Sequence, residues 1–295
     1  MAGGQERILR RRIKSVQATR KITKAMELIA ASQIAKAQAR ITANRPFRDG
    51  MARLMQEIVE GDPVLAKTLF ASAEHVNAVA VLAIVGDRGL SGAYNSNVLR
   101  ATERHVQDLK SRGVNVRLFA VGKKATNYFR FRGIATEEVF AGFADRPTFA
   151  DARTVSNVVL APYFAGDVQE LHLVSTKYIS SATQRVDNCI LLPLQAPEAD
   201  ASSSKLKGYT EFEPELSTLI AGLVRIPIES EIFTALLEGA ASFHTSQQRA
   251  MAAATENADE LNRVLTRVMN QARQASITTE IMEIVGGAEA LRSGK

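Results

Sequence analysis

In the last quarter of the chain, apolar residues recur in steps of three and four without losing phase, from Leu216 to Met282. The track passes through Leu219, Leu223, Ile226, Ser230, Phe233, Leu237, Ala240, His244, Gln247 and Met251. It continues through Ala254, Ala258, Leu261, Leu265, Val268, Ala272, Ala275 and Thr279. Only Ser230, His244, Gln247 and Thr279 depart from apolar character, so the pattern predicts one long helix with its seam on a partner helix. At about 1.5 Å per residue the track spans roughly 100 Å. A compact body of 295 residues measures only about 50 Å across, so the helix is expected to project. A projecting rod points to mechanical coupling or assembly more than to a small-molecule site.

The first sixty residues predict a second helix, from about Gln5 to Val59. Leu9, Ile13 and Val16 stand at helical spacing, as do Ile22, Met26 and Ile29. Pro46 is expected to kink or break it near Arg45–Phe47, and Gly61-Asp62-Pro63 to close it.

Between the two helices the period changes. Strand-like runs at Val76–Val85, Val114–Val121, Ala135–Ala141, Glu170–Thr176 and Gln184–Leu192 alternate with helical runs at Ser91–Arg112, Lys123–Arg132 and Thr148–Phe164. That alternation predicts a mostly parallel sheet with crossover helices. Tyr178–Thr183 is too short for a crossover, so the last two strands should form an antiparallel hairpin. Pro193–Gly208, with its prolines and serines, reads as an exposed loop, and Tyr209–Glu213 as a short extended contact. Pro214 suits the first turn of the last helix, Pro227 should kink it, and Gly286-Gly287 should end it. The fold class is α/β: a long antiparallel coiled coil of N- and C-terminal helices with an inserted Rossmann-like domain. The expected divisions are 1–60 for the first helix, 76–193 for the α/β domain, 194–213 for a mobile loop, and 214–295 for the last helix.

Charge sharpens this picture. Residues 1–53 carry thirteen Lys or Arg against three Asp or Glu, while the whole chain is only +6. Such asymmetry suits an acidic partner for the first helix: nucleic acid, an anionic membrane surface or an acidic protein surface. A solvated basic helix face would look the same. Aromatic residues are absent before Phe47, so base stacking has no platform there. The start is Arg-rich and acid-poor, as presequences are, but its pattern runs on into the helix and reads as mature protein. No apolar run approaches the roughly 20 residues of a membrane span. The single cysteine, Cys189, rules out an internal disulfide and is expected to be a buried thiol in its strand. His75, His105, His172 and His244 show no metal-ligand spacing. His172 and Cys189 could be strand neighbours, with two buried sheet side chains as the plainer account.

The most enzyme-like stretch is Gly86-Asp87-Arg88-Gly89-Leu90-Ser91-Gly92, a glycine-rich turn between a strand and a helix. Its glycine spacing is not that of a dinucleotide site, and no Lys-Ser/Thr pair follows as a phosphate cradle requires. Asp87 and Arg88 could instead cap or pair locally. No general acid and base stand out, so catalysis, cofactor and metal are not expected.

Three motifs resemble one known family. Lys21-Ile22-Thr23-Lys24-Ala25-Met26-Glu27-Leu28-Ile29-Ala30-Ala31-Ser32 resembles the N-terminal signature of the gamma subunits of F-type ATP synthases. Asp87-Arg88-Gly89-Leu90-Ser91-Gly92-Ala93-Tyr94-Asn95 is similar to that family's middle motif, with Ser91 where a cysteine is frequent. Ala272-Arg273-Gln274-Ala275-Ser276-Ile277-Thr278-Thr279-Glu280-Ile281, continuing to Glu283-Ile284-Val285, resembles its C-terminal signature.

The resemblance implies a central-stalk rotor that performs no chemistry itself. Its helical pair would stand inside a hexameric ring of α and β subunits. Its α/β domain would rest with the epsilon subunit on the membrane c-ring, peripherally, at the cytoplasmic face of a bacterial plasma membrane. Proton-driven rotation would then cycle the β subunits through ATP synthesis. By resemblance Met26 faces the moving lobe of a β subunit, and Arg273 and Gln274 meet a β-subunit loop. Lys24, Thr278, Glu280 and Glu283 fall in the same torque-bearing stretches. For Met26 a place in the coiled-coil seam remains open, since methionine fills gaps well. Arg273 and Gln274 lie off the seam, between Ala272 and Ala275. There is no cysteine-bearing insertion of the kind that gives plastid relatives thiol regulation. The resemblance assigns no role to 196–207.

Overall fold

The computed structural model describes residues 2–61, 73–194 and 216–294. Among them run helix α1 (Ala2–Gly61), strand β1 (Ala78–Ile84), α2 (Tyr94–Ser111), β2 (Asn115–Val121) and α3 (Lys123–Phe131). Then follow β3 (Glu138–Phe140), α4 (Phe149–Phe164), β4 (Glu170–Tyr178), β5 (Gln184–Leu192) and α5 (Leu216–Ser293). The chain forms two compact units, Met1–Ala30 with Gln248–Lys295, and Ala31–Gln247, so each terminal helix contributes to both.

The larger unit, Ala31–Gln247, is built on a five-stranded sheet in the order β3-β2-β1-β4-β5. β1 runs parallel to β2 and β4, β2 parallel to β3, and β5 antiparallel to β4. The sequence Ala78-Val79-Ala80-Val81-Leu82-Ala83-Ile84 makes β1 central because it has no polar side to show water. Alternation sends Leu82 and Ile84 to one face, against α4 and Ile228, Ile232 and Leu236 of α5. Val79, Val81 and Ala83 meet Val98 and Val106 of α2 and Phe129 of α3 on the other. The parallel sheet and the terminal hairpin agree with the sequence reading, with most elements ending a few residues inside the expected bounds.

α4 begins with a reciprocal cap. Thr148 Oγ1 accepts from the Asp151 N–H, and Asp151 Oδ2 accepts from the Thr148 N–H at 2.7 Å. Thr148→Ala is expected to cost about 1 kcal/mol, read as a lower urea midpoint of the full chain.

Several expectations about the helices are corrected. α1 is not broken at Arg45–Phe47 and runs through Pro46. A proline costs a helix interior about 3 kcal/mol, so packing on both sides must hold the segment. Asn44 Nδ2 donates to Thr234 Oγ1 of α5 at 2.9 Å, and the Phe47 ring meets Phe149 edge-on. Pro227, by contrast, lies inside α5 as expected and is buried. Gly286-Gly287 does not end α5, which continues to Ser293. Neither glycine adopts the positive φ of a helix-ending cap, and glycine alone costs a helix only about 1 kcal/mol. Ile226, Leu261 and Met282 of the apolar track are exposed instead of lying in a seam. The 194–213 loop beyond Leu194, the Tyr209–Glu213 contact, Pro214 and the Asp62-Pro63 stop lie outside the described residues.

Glu238 on α5 is buried beside the β4–β5 hairpin, where its Oε2 accepts from the Tyr178 N–H at 3.2 Å. Burial pushes its carboxyl above the ordinary carboxylate value, against smaller opposing effects of the Tyr178 N–H, Lys177 and Arg48. A raised carboxyl costs the folded state stability wherever it is charged. Glu238→Gln is therefore expected to stabilise the chain at neutral pH. The gain should shrink as pH falls through the raised value and vanish below the unfolded one. Denaturant midpoints across pH check this.

Candidate functional site

In the unit formed by Met1–Ala30 and Gln248–Lys295, the start of α1 lies antiparallel to the end of α5. Arg20 pairs with Asp259, and three residues further along α1 the hydroxyl of Thr23 meets that of Thr255 at 2.8 Å, buried. Small side chains at Thr23, Ala30, Thr255 and Ala258 fill this contact. Ile22 and Ile29, which stand at helical spacing with Met26, are 60% and 61% exposed. Thr23 and Ala30, one position later, are the ones buried. An apolar stripe of Ile22, half-buried Met26 and Ile29 is thereby left on the outside of α1. Lys24, exposed, pairs with Glu27 on the same helix at 3.0 Å.

The other candidate residues lie further along α5. Arg273, Gln274, Thr278, Glu280 and Glu283 are all exposed. Thr278 Oγ1 donates to the Gln274 carbonyl at 3.0 Å, and Ser276 Oγ to Glu280 Oε1 at 3.3 Å. The structure does not gather the seven candidates into one place. Thr255 is the α5 partner of Thr23. Arg273 lies eighteen residues beyond it, roughly 27 Å along the helix axis. The surface therefore has two zones, one around Lys24 and Met26 and one around Arg273–Glu283.

The same register explains the end of α5. With Arg20 opposite Asp259, α1 runs out near residue 276, and the apolar residues beyond are left exposed among the described residues. Met282 is 68% and Ile284 72% exposed, and Ile277, Ile281, Val285 and Leu291 are exposed too. A contiguous exposed apolar surface of this kind is characteristic of interaction sites. The helical period of the sequence gave no signal for it, because a seam residue and an outward contact residue look alike until the register is known.

The glycine-rich turn, in the larger unit, is a packing joint. A Cβ on Gly86 would meet the Phe243 ring at 3.1 Å and Asn95 Oδ1 at 3.2 Å, so the space a phosphate would need holds an α5 side chain. Asp87 accepts from the backbone N–H groups of Lys123, Gly142 and Ala144 at 3.0, 2.9 and 3.2 Å. Arg88 pairs with Asp145 at 2.7 Å. Asn95 accepts from the Gly86 N–H at 2.8 Å and donates to the Arg88 carbonyl at 2.9 Å. Ser91 is buried beside it. Local capping and pairing, not nucleotide binding, is the work of this motif.

His172 and Cys189 do not form a couple. His172 pairs with His105 at 2.7 Å and Glu170 at 2.7 Å, and in the ladder Cys189 stands opposite Leu173. Cys189 is exposed, contrary to expectation, because β5 is the edge of the sheet. Partial burial of its sulfur, then Asp187 and Glu231, push the thiol up to about 11.

The fold has solved counterparts. A chain of the mitochondrial ATP synthase of Euglena gracilis, in rotational state 3, matches 99% of this chain and 96% of its own length with a TM-score of 0.70 at 16% identity. A chain from the central stalk and c-ring of the Tetrahymena thermophila mitochondrial ATP synthase matches 79% of this chain and 99% of its own, with a TM-score of 0.62 at 21% identity. These likenesses show the fold. A sequence model of the family described as ATP synthase matches residues 5–291. The ATP synthase gamma chain of Frankia casuarinae is 44% identical over 297 aligned positions, covering 99% of both chains. That of Kineococcus radiotolerans is 44% identical, covering 98% of both.

The chain belongs to the ATP synthase gamma chain family, the rotor subunits of F-type ATP synthases. Membership extends from end to end, so both terminal helices and the sheet between them are family features. Among the described residues no helix of this gamma chain is long and apolar enough to cross a membrane.

Proposed function

We propose that this chain is the turning shaft that couples a membrane c-ring to the catalytic β subunits, and that it performs no chemistry itself. Its helical pair stands inside the ring of α and β subunits. Its α/β unit sits with the epsilon subunit on the c-ring, at the cytoplasmic face of a bacterial plasma membrane. The observation that carries this reading is the apolar surface turned away from the helices' own contact: Ile22, Met26 and Ile29 on α1, and Ile277 to Leu291 on α5. Side chains that serve only a two-helix seam would not be turned outward. In the proposal Met26 and Lys24 meet one part of a β subunit, while Arg273, Gln274, Thr278, Glu280 and Glu283 meet a loop roughly 27 Å away along the shaft.

A turning surface changes a neighbour's nucleotide affinity only if it binds that neighbour's conformations unequally. An asymmetric pair of helices meets this condition, since each rotary position presents a different mixture of apolar stripe and charge. Part of the basic charge on α1 is answered within its own unit, by Asp259 for Arg20 and Glu6 for Arg10. That favours a fitted protein surface over a phosphate-tracking one.

Mixing cognate α and β subunits with and without this chain tests the reading. Stable co-assembly with stimulated ATP hydrolysis, and no hydrolysis by the chain alone, is the expected result. Failure to associate would remove it.

A further inference from the structure

Within the unit Ala31–Gln247, a cavity of about 170 Å³ opens between α1, α5 and the loop before α4. Its walls carry three cations, Lys36, Arg40 and Arg146, together with Asp145 and His244. Arg40 donates to the neutral Pro147 carbonyl and keeps its charge. Asp145 gives one oxygen, Oδ2, to Arg88 at 2.7 Å, while Oδ1 is buried with no hydrogen-bond partner among the described residues.

His244 is more than nine-tenths buried. Its Nε2 faces the Asp145 carbonyl at 3.4 Å, and a carbonyl only accepts, so the ring proton sits on Nε2. Nδ1 is then a bare lone pair. The Gln247 side chain, one turn along, approaches the ring as a hydrogen-bond partner, but no bond of good geometry reaches Nδ1 from the described residues. Burial pushes this histidine below its ordinary value, which keeps the ring neutral.

The cavity thus offers two kinds of demand at once. Three cationic donors call for an anion. Two buried acceptors, Asp145 Oδ1 and His244 Nδ1, call for a hydrogen-bond donor, and leaving either unmet is costly. At about 30 Å³ for each water-sized group, the space takes roughly five or six heavy atoms. We propose that this cavity binds a small oxyanion that still carries a proton at neutral pH, namely monohydrogen phosphate. Its charged oxygens accept from Lys36, Arg40 and Arg146 in charge-assisted bonds. Its P–OH donates to Asp145 Oδ1 or His244 Nδ1. Sulfate, of nearly the same size and charge, has no proton to give at that pH and would set an oxygen against a bare acceptor.

The site does not depend on the rotor reading. Phosphate is nevertheless the co-substrate of ATP synthesis, so the ligand is at hand wherever a gamma chain works.

Calorimetric titration of the full chain with potassium phosphate, and separately with potassium sulfate at matched ionic strength, tests the proposal. Saturable phosphate binding at least tenfold tighter than sulfate is expected. Lys36→Gln with Arg146→Gln, both exposed positions, should weaken phosphate at least tenfold while leaving the cooperative unfolding of the ligand-free chain intact. Asp145→Asn places an N–H donor where Oδ1 stood and should raise sulfate affinity. Equal binding of the two anions would mean an adventitious ion only and would overturn the proposal. So would the absence of saturable phosphate binding to the unaltered chain.

Discussion

Replacing Arg273 and Gln274 together by alanine should lower rotation-linked ATP synthesis in the assembled enzyme on the order of tenfold or more, while assembly proceeds. A tenfold loss corresponds to about 1.4 kcal/mol of coupling, less than a single well-placed charged contact can supply. Both side chains are exposed, and both stand on α5 close to where α1 runs out. Truncating them therefore removes nothing from the helical pair, and alanine is the better helix former at each position. Synthesis driven by a proton gradient in reconstituted vesicles, compared with the yield of intact complex, separates the two effects. Unchanged synthesis would sink the assignment of this zone. A parallel loss of assembly would show that the two residues hold the ring together instead of transmitting torque.

Gly122→Ala is expected to destabilise the α/β unit by about 4 kcal/mol or more, among the largest losses a single residue can give. Gly122 has φ of +102°, and a Cβ there would lie 2.3 Å from the Val85 carbonyl oxygen and 2.7 Å from its carbon. Those atoms are backbone of the chain leaving β1, with no flexible end to swing aside. The Val85 N–H donates to the Val121 carbonyl at 2.9 Å, and the Gly122 N–H donates to Phe140 at 2.7 Å. Relief of the clash would therefore pull at two strand junctions at once. Gly133→Ala is the internal control. It shares a positive φ, at +66°, but nothing lies within 4 Å of its Cβ position, so its cost should be that of backbone strain alone, about 1–2 kcal/mol. Urea unfolding of the two variants should show the difference directly.

The sheet was legible from the sequence because its strands carry two different signals. β1 is apolar throughout, as a strand covered on both faces must be, and β4 and β5 are joined by a link too short to cross over. The terminal helices were legible as helices, but not in which side faces inward. Ile22 and Ile29 recur at the same seven-residue interval as Thr23 and Ala30, and only the pairing of Thr23 with Thr255 decides between the two stripes. Apolar residues on a shaft that meets other proteins serve outward contacts as well, so period alone cannot select the seam. The possible break at Pro46 and the expected end at Gly286-Gly287 did not occur for a related reason. Their local cost is a few kcal/mol at most, and packing by Asn44 and Phe47 outweighs it at Pro46. Cys189 was misplaced because its strand reads as buried while its position is at the sheet edge, and edge position is a property of topology. The candidate residues came from resemblance, and their separation into two zones came from the helix register.

Rotation itself is the central claim, and this chain suits a direct observation of it. Cys189 is its single cysteine and is exposed on the α/β unit, which contains none of the residues assigned to torque. A biotin–maleimide attached there under mildly alkaline conditions, to offset the raised thiol, can carry a bead on a complex whose α and β subunits are fixed to glass. On adding ATP, the bead should turn persistently in one direction at a speed that tracks hydrolysis. Continued hydrolysis beneath a bead that only fluctuates about one angle would contradict the shaft.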